Sequence, residues 1–316
     1  MDTITLGTTN QAVTPLCIGT WAWGDKLFWN YGKEYGADQL KEAFTTALEC
    51  GVNFFDTAEV YGMGLSEKFL GEFMGQTDKP VTIATKFGPL PWRIFGQSVS
   101  DALTDSLKRL QVEKIALYQV HWPFAFLMSQ ETLMNTLASE VEKGRIGAIG
   151  VSNYSAKDMG LAHRILAKRG IPLAVNQVRY SLLTRQIENN GIFDTARELG
   201  VTILAYSPLA QGLLTGKYNA SNTNASNTNN LTGARKVDPR FSQEGLKKIE
   251  PVISLLKEIG DKYERSPAQV SLNWLIAKGV IPIAGAKTAD QVRQNTGALG
   301  WKLSDDEISK LDEITR

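Results

Sequence analysis

Two rhythms of apolar residues alternate along this chain. One is a series of short, nearly continuous apolar runs: Pro15–Thr20, Val52–Asp56, Val81–Lys86, Ile115–His121, Ile146–Val151, Leu173–Gln177, Val201–Tyr206 and Val280–Ala284. Runs this short and apolar predict strands buried on both faces. The other rhythm fills the intervals at helical spacing, as at Leu40, Ala43, Phe44, Ala47 and Leu48, or at Leu103, Leu107 and Leu110. Cap residues place the helix starts. Asp38 opens a helix to Cys50, one runs from Ser66 to about Met74, and Ser98 or Ser100 caps one ending at Leu110. Ser155, Ser266-Pro267, Thr288 and Ser304 open later helices.

Eight strand–helix repeats predict a parallel β/α series. An open doubly wound sheet would place a glycine fingerprint after its first strand. Gly19-Thr-Trp-Ala-Trp-Gly24 lacks that spacing. The expected architecture is therefore one closed (β/α)8 TIM barrel spanning residues 1–316, with an N-terminal β-hairpin and a C-terminal tail helix. Residues 218–236 read as a polar loop insertion, because Asn219–Asn230 repeats Asn, Ala, Ser and Thr without a core anchor. Its place after the seventh strand suggests a lid that orders over a cofactor.

Composition narrows the partners. With 43% hydrophobic residues, 21% charged residues and a formal charge of +1, the chain offers no electrostatic case for nucleic acid or an anionic membrane. No run approaches the roughly 18 apolar residues of a transmembrane helix, and the first residues lack the blocks of a signal peptide. Cys17 and Cys50 lie beside apolar runs and read as free thiols, consistent with a reduced, cytoplasmic protein. Oligomeric state is left open.

Three strands end in polar chemistry. Asp56 closes one, Lys86 the next and His121 the third, with Tyr61 one loop-turn beyond Asp56. If these strands are parallel neighbours, the four side chains converge at the C-terminal rim, where barrel active sites lie. An ammonium beside a phenol lowers the phenol's pKa, and a carboxylate holds the ammonium in place. A histidine there can orient a substrate oxygen. A proton donor without a metal or nucleophile suits carbonyl reduction, in which a cofactor carries the hydride.

The stretch Gly51-Val-Asn-Phe-Phe-Asp-Thr-Ala-Glu-Val-Tyr-Gly62, with the later motifs in order, resembles the aldo-keto reductase family over essentially the whole chain. The resemblance implies NADPH bound in an extended pose, a small-molecule carbonyl substrate, and Asp56, Tyr61, Lys86 and His121 as a catalytic tetrad with Tyr61 as proton donor. It implies that Ser152, Asn153 and Gln177 meet the nicotinamide carboxamide and that Tyr206 stacks under the ring. Ser207, Pro208, Leu209, Gln211 and Gly212 would pass over the pyrophosphate, with Lys217 beyond them and Gly19, Thr20 and Trp21 completing the track. Gly285, Lys287, Thr288, Gln291, Gln294 and Asn295 correspond to the adenosine end, where Lys287 would meet the 2′-phosphate. Relatives often carry arginine where this chain has Gln291 and glutamate where it has Gln294, so the preference for NADPH over NADH rests mostly on Lys287. Trp23, Trp29, Trp92 and Trp122, with Trp21, Phe28 and Phe124, lie in loops after strands and suggest an aromatic pocket for an apolar carbonyl compound. The family also contains potassium-channel β subunits, so a nucleotide-sensing regulatory subunit is the alternative reading.

Overall fold

The computed structural model describes residues 3–123, 127–218, 231, 235 and 238–316. Phe124 and the stretch Asn219–Asn230, with its expected lid role, lie outside the described residues, as does most of 218–236.

An antiparallel hairpin, β1 (Ile4–Thr5) and β2 (Ala12–Val13), comes first. Eight parallel strands then close into a barrel. They are β3 (Cys17–Gly19), β4 (Phe54–Asp56), β5 (Thr82–Phe87), β6 (Ile115–Val120), β7 (Ile146–Ser152), β8 (Leu173–Arg179), β9 (Thr202–Tyr206) and β10 (Ile281–Gly285). β10 pairs with both β9 and β3, which closes the ring. The helices α1 (Ala37–Glu49), α2 (Leu65–Met74), α3 (Gly96–Leu110), α4 (Gln130–Glu142), α5 (Ala156–Ala167) and α6 (Ile192–Glu198) follow β3 to β8 in turn. Both α7 (Gln243–Tyr263) and α8 (Pro267–Ala277) follow β9, α9 (Ala289–Thr296) follows β10, and α10 (Asp305–Ile314) is the tail. This is the (β/α)8 TIM barrel expected from the alternating rhythms.

Strand periodicity divides the core in two. The outer core fills the space between strands and helices, with Phe55, Leu103, Tyr118, Leu137, Ile149, Ile203 and Leu272 among its members. The inner core fills the barrel with Cys17, Phe54, Ala84, Leu117, Ala148, Val175, Leu204, Ile281 and Ile283. Leu6 and Val13 of the hairpin segment belong to this inner cluster and close the N-terminal end of the barrel. Side chains two residues apart on a strand share a face. Two steps beyond Phe54, Ala84, Leu117, Val175 and Leu204 stand Asp56, Lys86, Gln119, Gln177 and Tyr206. The polar site is thus the top layer of an otherwise apolar interior.

Four caps fall where expected: Ser155, Ser266, Thr288 and Ser304 each accept a backbone N–H from the first turn of their helices. Three starts differ. α1 is opened by Gly36, with Gln39 Oε1 reaching back to its N–H at 2.8 Å, and Asp38 lies inside the first turn. α2 begins at Leu65 because Gly64, at φ +88°, turns the chain there; the Ser66 hydroxyl bonds to the first barrel loop instead. α3 begins at Gly96, ahead of both expected serines, and Phe95 at its start contributes no side-chain cap.

Candidate active site

Lys86 is wholly buried at the end of β5, and its ammonium gathers the site. Nζ donates to Asp56 Oδ1 at 2.5 Å, to the Thr57 carbonyl at 2.7 Å and to Tyr61 Oη at 3.4 Å. The other Asp56 oxygen, Oδ2, accepts from Gln177 Nε2 at 2.8 Å and from Gln119 Nε2 at 3.2 Å. His121 lies across the mouth, its ring centroid 6.0 Å from that of Tyr61 and edge-on to it. The structure therefore brings together all four residues expected to converge.

Local backbone explains how Tyr61 returns to Lys86. After Tyr61 the chain turns through left-handed conformations at Gly62, Met63 and Gly64 (φ +55°, +56° and +88°) directly into α2. A Cβ on Gly62 would lie 2.8 Å from the Gly24 backbone, so this loop can pack against the β3 loop only with glycine there. Hydroxyls tie its start: Thr57 donates to Ser66 at 2.8 Å, and Ser66 lies 2.8 Å from the Thr20 hydroxyl. Its middle is clasped to the loop after β5, because Glu59 accepts from the Gly88 N–H at 2.6 Å and pairs with both terminal nitrogens of Arg93.

The electrostatics correct one expectation. Burial pushes the Tyr61 phenol above its ordinary range; Lys86 pulls it back only in part. The net direction is upward, not down. Burial also works against the Lys86 ammonium, yet Asp56 and Tyr61 outweigh it and raise its pKa. His121 is driven to about 2 by burial and by the charge of Lys86, so its imidazole is neutral. Its Nδ1 is buried and has no hydrogen-bond partner among the described residues.

Gln119 was not among the expected site residues. It sits two positions before His121 on β6, a polar residue within an apolar run, and that spacing alone assigns it to the same face. Room for it comes from Gly150 on the neighbouring strand, where a Cβ would lie 2.9 Å from Gln119 Cγ. Glu59, although inside the Gly51–Gly62 stretch, and Arg93 were also not among the expected site residues.

A polar track runs from this centre around the rim. Ser152 ends β7 and donates to the Gln177 carbonyl at 2.9 Å, and the Gln177 side-chain amide is committed to Asp56 and Gln119. Asn153, at φ +61°, accepts from Tyr206 Oη at 2.9 Å, which pins the Tyr206 ring. Beyond β9, Ser207, Ala210, Gln211 and Gly212 take positive φ, and Pro208 and Leu209 lie between them. Lys217 follows, with its ammonium 5.2 Å from the centroid of the Tyr218 ring. On β10, Gly285 is exposed, and no atom of the described residues would lie within 4 Å of a Cβ there. Lys287 and Thr288 then lead into α9; Gln291 Oε1 accepts the Lys287 N–H at 2.8 Å, Gln294 is exposed and Asn295 is buried against the Gly285 carbonyl. Gly19, at the end of the adjacent strand β3, with Thr20 and Trp21 just beyond it, closes the circuit, since β3 pairs with β10. Polar side chains, an open glycine and a lysine at a helix N-terminus, spread over the five adjoining strands β7, β8, β9, β10 and β3, fit an elongated phosphorylated dinucleotide.

The aromatic residues divide. Trp21 is 41% exposed and touches Phe28, Trp29 and Tyr61, while Trp122 stacks on His121 at 3.8 Å between centroids. Trp92 is 71% exposed in the loop after β5. Trp23 does not join them. It is fully buried between Phe55 and Phe73, and its Nε1 donates to the Ala286 carbonyl at 2.8 Å. An indole needs both an apolar bed and a partner for its N–H, and the outer core supplies both.

Residues 15–316 match the model of the Aldo/keto reductase family. The chain belongs to the aldo/keto reductase family. It is 40% identical over 313 residues to the chloroplastic pyridoxal reductase of Arabidopsis thaliana, covering 95% of this chain and 83% of that protein. It is 32% identical over 283 residues to the NADP(+)-designated aldo-keto reductase yakc of Schizosaccharomyces pombe, covering 85% of this chain and 80% of the relative. Among solved structures, a glycerol dehydrogenase from Gluconobacter oxydans superimposes with a TM-score of 0.86 at 30% identity, over 99% of this chain and 94% of that one. Family membership makes the chain an oxidoreductase of carbonyl groups, in a family that uses nicotinamide cofactors. Among the described residues, no helix is long and apolar enough to cross a membrane.

Proposed function

We propose that this protein reduces aldehydes or ketones to alcohols with NADPH, Tyr61 providing the proton. The observation that carries the proposal is the position of Lys86, whose buried ammonium touches both Asp56 and Tyr61. When bound, the nicotinamide supplies the hydride. The rest is the work of side chains. Burial keeps Tyr61 protonated at neutral pH, ready to donate from its hydroxyl to the carbonyl oxygen. Lys86 then faces the phenolate, and the charge of Asp56 keeps Lys86 cationic. Neutral His121 still carries one N–H with which to orient the same oxygen. Trp21, Trp29 and Trp122 shed water from the mouth and favour apolar or aromatic substrates. NADPH as the donor is supported by Lys287 beside the N-terminus of α9 and by the NADP(+) in the fission-yeast relative's name.

The test is NADPH oxidation, followed by absorbance, against aromatic, aliphatic and dicarbonyl aldehydes, with NADH in parallel. The name of the Arabidopsis relative puts pyridoxal, itself an aromatic aldehyde, on that panel. Tyr61→Phe should lower kcat by about 10²- to 10⁴-fold, the range of general acid catalysis, with cofactor affinity unchanged. Turnover by Tyr61→Phe within a fewfold of wild type would overturn the assignment.

A further inference from the structure

The long loop between β3 and α1 returns to the cofactor track with one acid. Glu34 Oε2 lies 3.1 Å from Lys287 Nζ, and its Oε1 accepts from Asn30 Nδ2 at 2.8 Å. The same ammonium sits 4.3 Å from the centroid of the Tyr35 ring. Tyr35 is buried and donates its hydroxyl to the Ala22 carbonyl at 2.5 Å, so the loop presenting Glu34 is anchored. Hydrogen bonds from Asn30 and then Lys287, with a further contribution from the charge of Arg235, hold the Glu34 carboxyl below its usual range. The carboxylate therefore remains charged at neutral pH, on the cation expected to meet a 2′-phosphate.

We propose that Glu34 is a specificity-determining residue that narrows the preference for NADPH over NADH by competing with the 2′-phosphate for Lys287. The inference rests on the cofactor reading above. A phosphate approaching Lys287 meets a like charge and must displace the carboxylate. A ribose 2′-hydroxyl meets no such obstacle and can donate to it, which is how acids recognise that hydroxyl in other dinucleotide sites. One acid thus penalises NADPH and favours NADH, while Lys287 does the reverse. Gln291 does not restore the balance: its side-chain oxygen is taken by the Lys287 N–H, and it brings no charge.

The experiment is calorimetric titration of the wild type, Glu34→Gln and Lys287→Ala with 2′,5′-ADP and with ADP, which isolates the phosphate from the chemistry. Glu34 is half exposed, with side-chain accessibility of 51%, so its replacement leaves the core untouched. Glu34→Gln should bind 2′,5′-ADP about threefold tighter, the scale of one exposed ion pair, with ADP binding unchanged or weaker. Lys287→Ala should weaken 2′,5′-ADP alone. Unchanged or weaker 2′,5′-ADP binding by Glu34→Gln would overturn the proposal, because Glu34 would then only position Lys287. Unaltered 2′,5′-ADP binding by Lys287→Ala would overturn it as well, leaving dinucleotide binding itself intact. Wild-type protein binding neither ADP nucleotide, and neither NADPH nor NADH, would defeat the cofactor reading and this inference with it.

Discussion

Asp56 keeps its charge useful through donors that come from three other strands: Lys86 from β5, Gln119 from β6 and Gln177 from β8. Gly150 makes that convergence possible. A methyl group there would lie 2.5 Å from Val175 Cγ2 and 2.9 Å from Gln119 Cγ. Gly150→Ala should therefore destabilise the fold by about 1–3 kcal/mol, the cost of overpacking, and lower kcat by displacing Gln119. Urea unfolding and steady-state kinetics check both; an unperturbed variant would show that the barrel relaxes freely around the site. His121 makes a second prediction. Its folded-state pKa of about 2 lies below the ordinary 6.5, so the unfolded chain binds the extra proton. Stability from this residue is intact above pH 6.5 and falls as the pH drops toward 2. Between pH 7 and pH 5 the loss should reach at most about 2 kcal/mol, and His121→Gln should abolish that share. Equal acid sensitivity in both proteins would contradict a neutral His121.

At the scale of elements, the frame behind the site depends on one buried carboxylate. Glu67 of α2 is fully buried, accepts from Thr85 of β5 at 2.6 Å and from Arg109 of α3 at 2.6 Å, and so joins two helices to the strand that carries Lys86. Removing Arg109 would leave that charge unpaired in the interior. Arg109→Ala should cost about 3–5 kcal/mol in chemical denaturation, and adding Glu67→Gln should recover part of it. A double variant no more stable than Arg109→Ala would mean that lost packing, rather than the orphaned charge, accounts for the cost. Glu59 and Arg93 act one layer higher, clasping the Tyr61 loop to the loop after β5. Arg93→Ala should lower kcat several-fold, because it loosens the Tyr61 loop; steady-state kinetics check this, and an unchanged kcat would show that the Gly88 N–H holds Glu59 and the loop without Arg93.

The whole molecule is closed by its tail. Asp312 on α10 accepts from Trp274 Nε1 of α8 at 3.0 Å and from Nζ of Lys278, just beyond that helix, at 2.6 Å, while Arg185, after β8, donates to its carbonyl at 2.7 Å. One residue thereby fastens the final helix to two distant parts of the barrel wall. Asp312→Ala should lower stability by about 2 kcal/mol, since the Trp274 N–H loses its partner inside the core. Thermal unfolding checks this, and a change in cofactor affinity of similar size would instead indicate that the tail also shapes the site.

The alternation of short apolar runs with helical stripes was enough to determine the barrel, because burial on both faces and a parallel series leave few other architectures. The spacing of two along β4, β5 and β6 was enough to point Asp56, Lys86 and His121 inward together, and the same spacing carried Gln119, had it been applied to every polar residue in a strand. Helix starts were legible at Ser155, Ser266, Thr288 and Ser304, and not where Gly36, Gly64 or Phe95 stood at the boundary, since those starts depend on backbone shape and on Gln39 reaching back. What only the tertiary structure decided were balances between groups far apart in the chain. Whether Tyr61 is raised or lowered depends on burial set against one ammonium. Trp23 belongs to the outer core because Phe55, Phe73 and the Ala286 carbonyl meet there. Lys287 meets Glu34 across a sequence separation of 253, and no local pattern records such a pairing, because it exists only once β10 and β3 lie side by side.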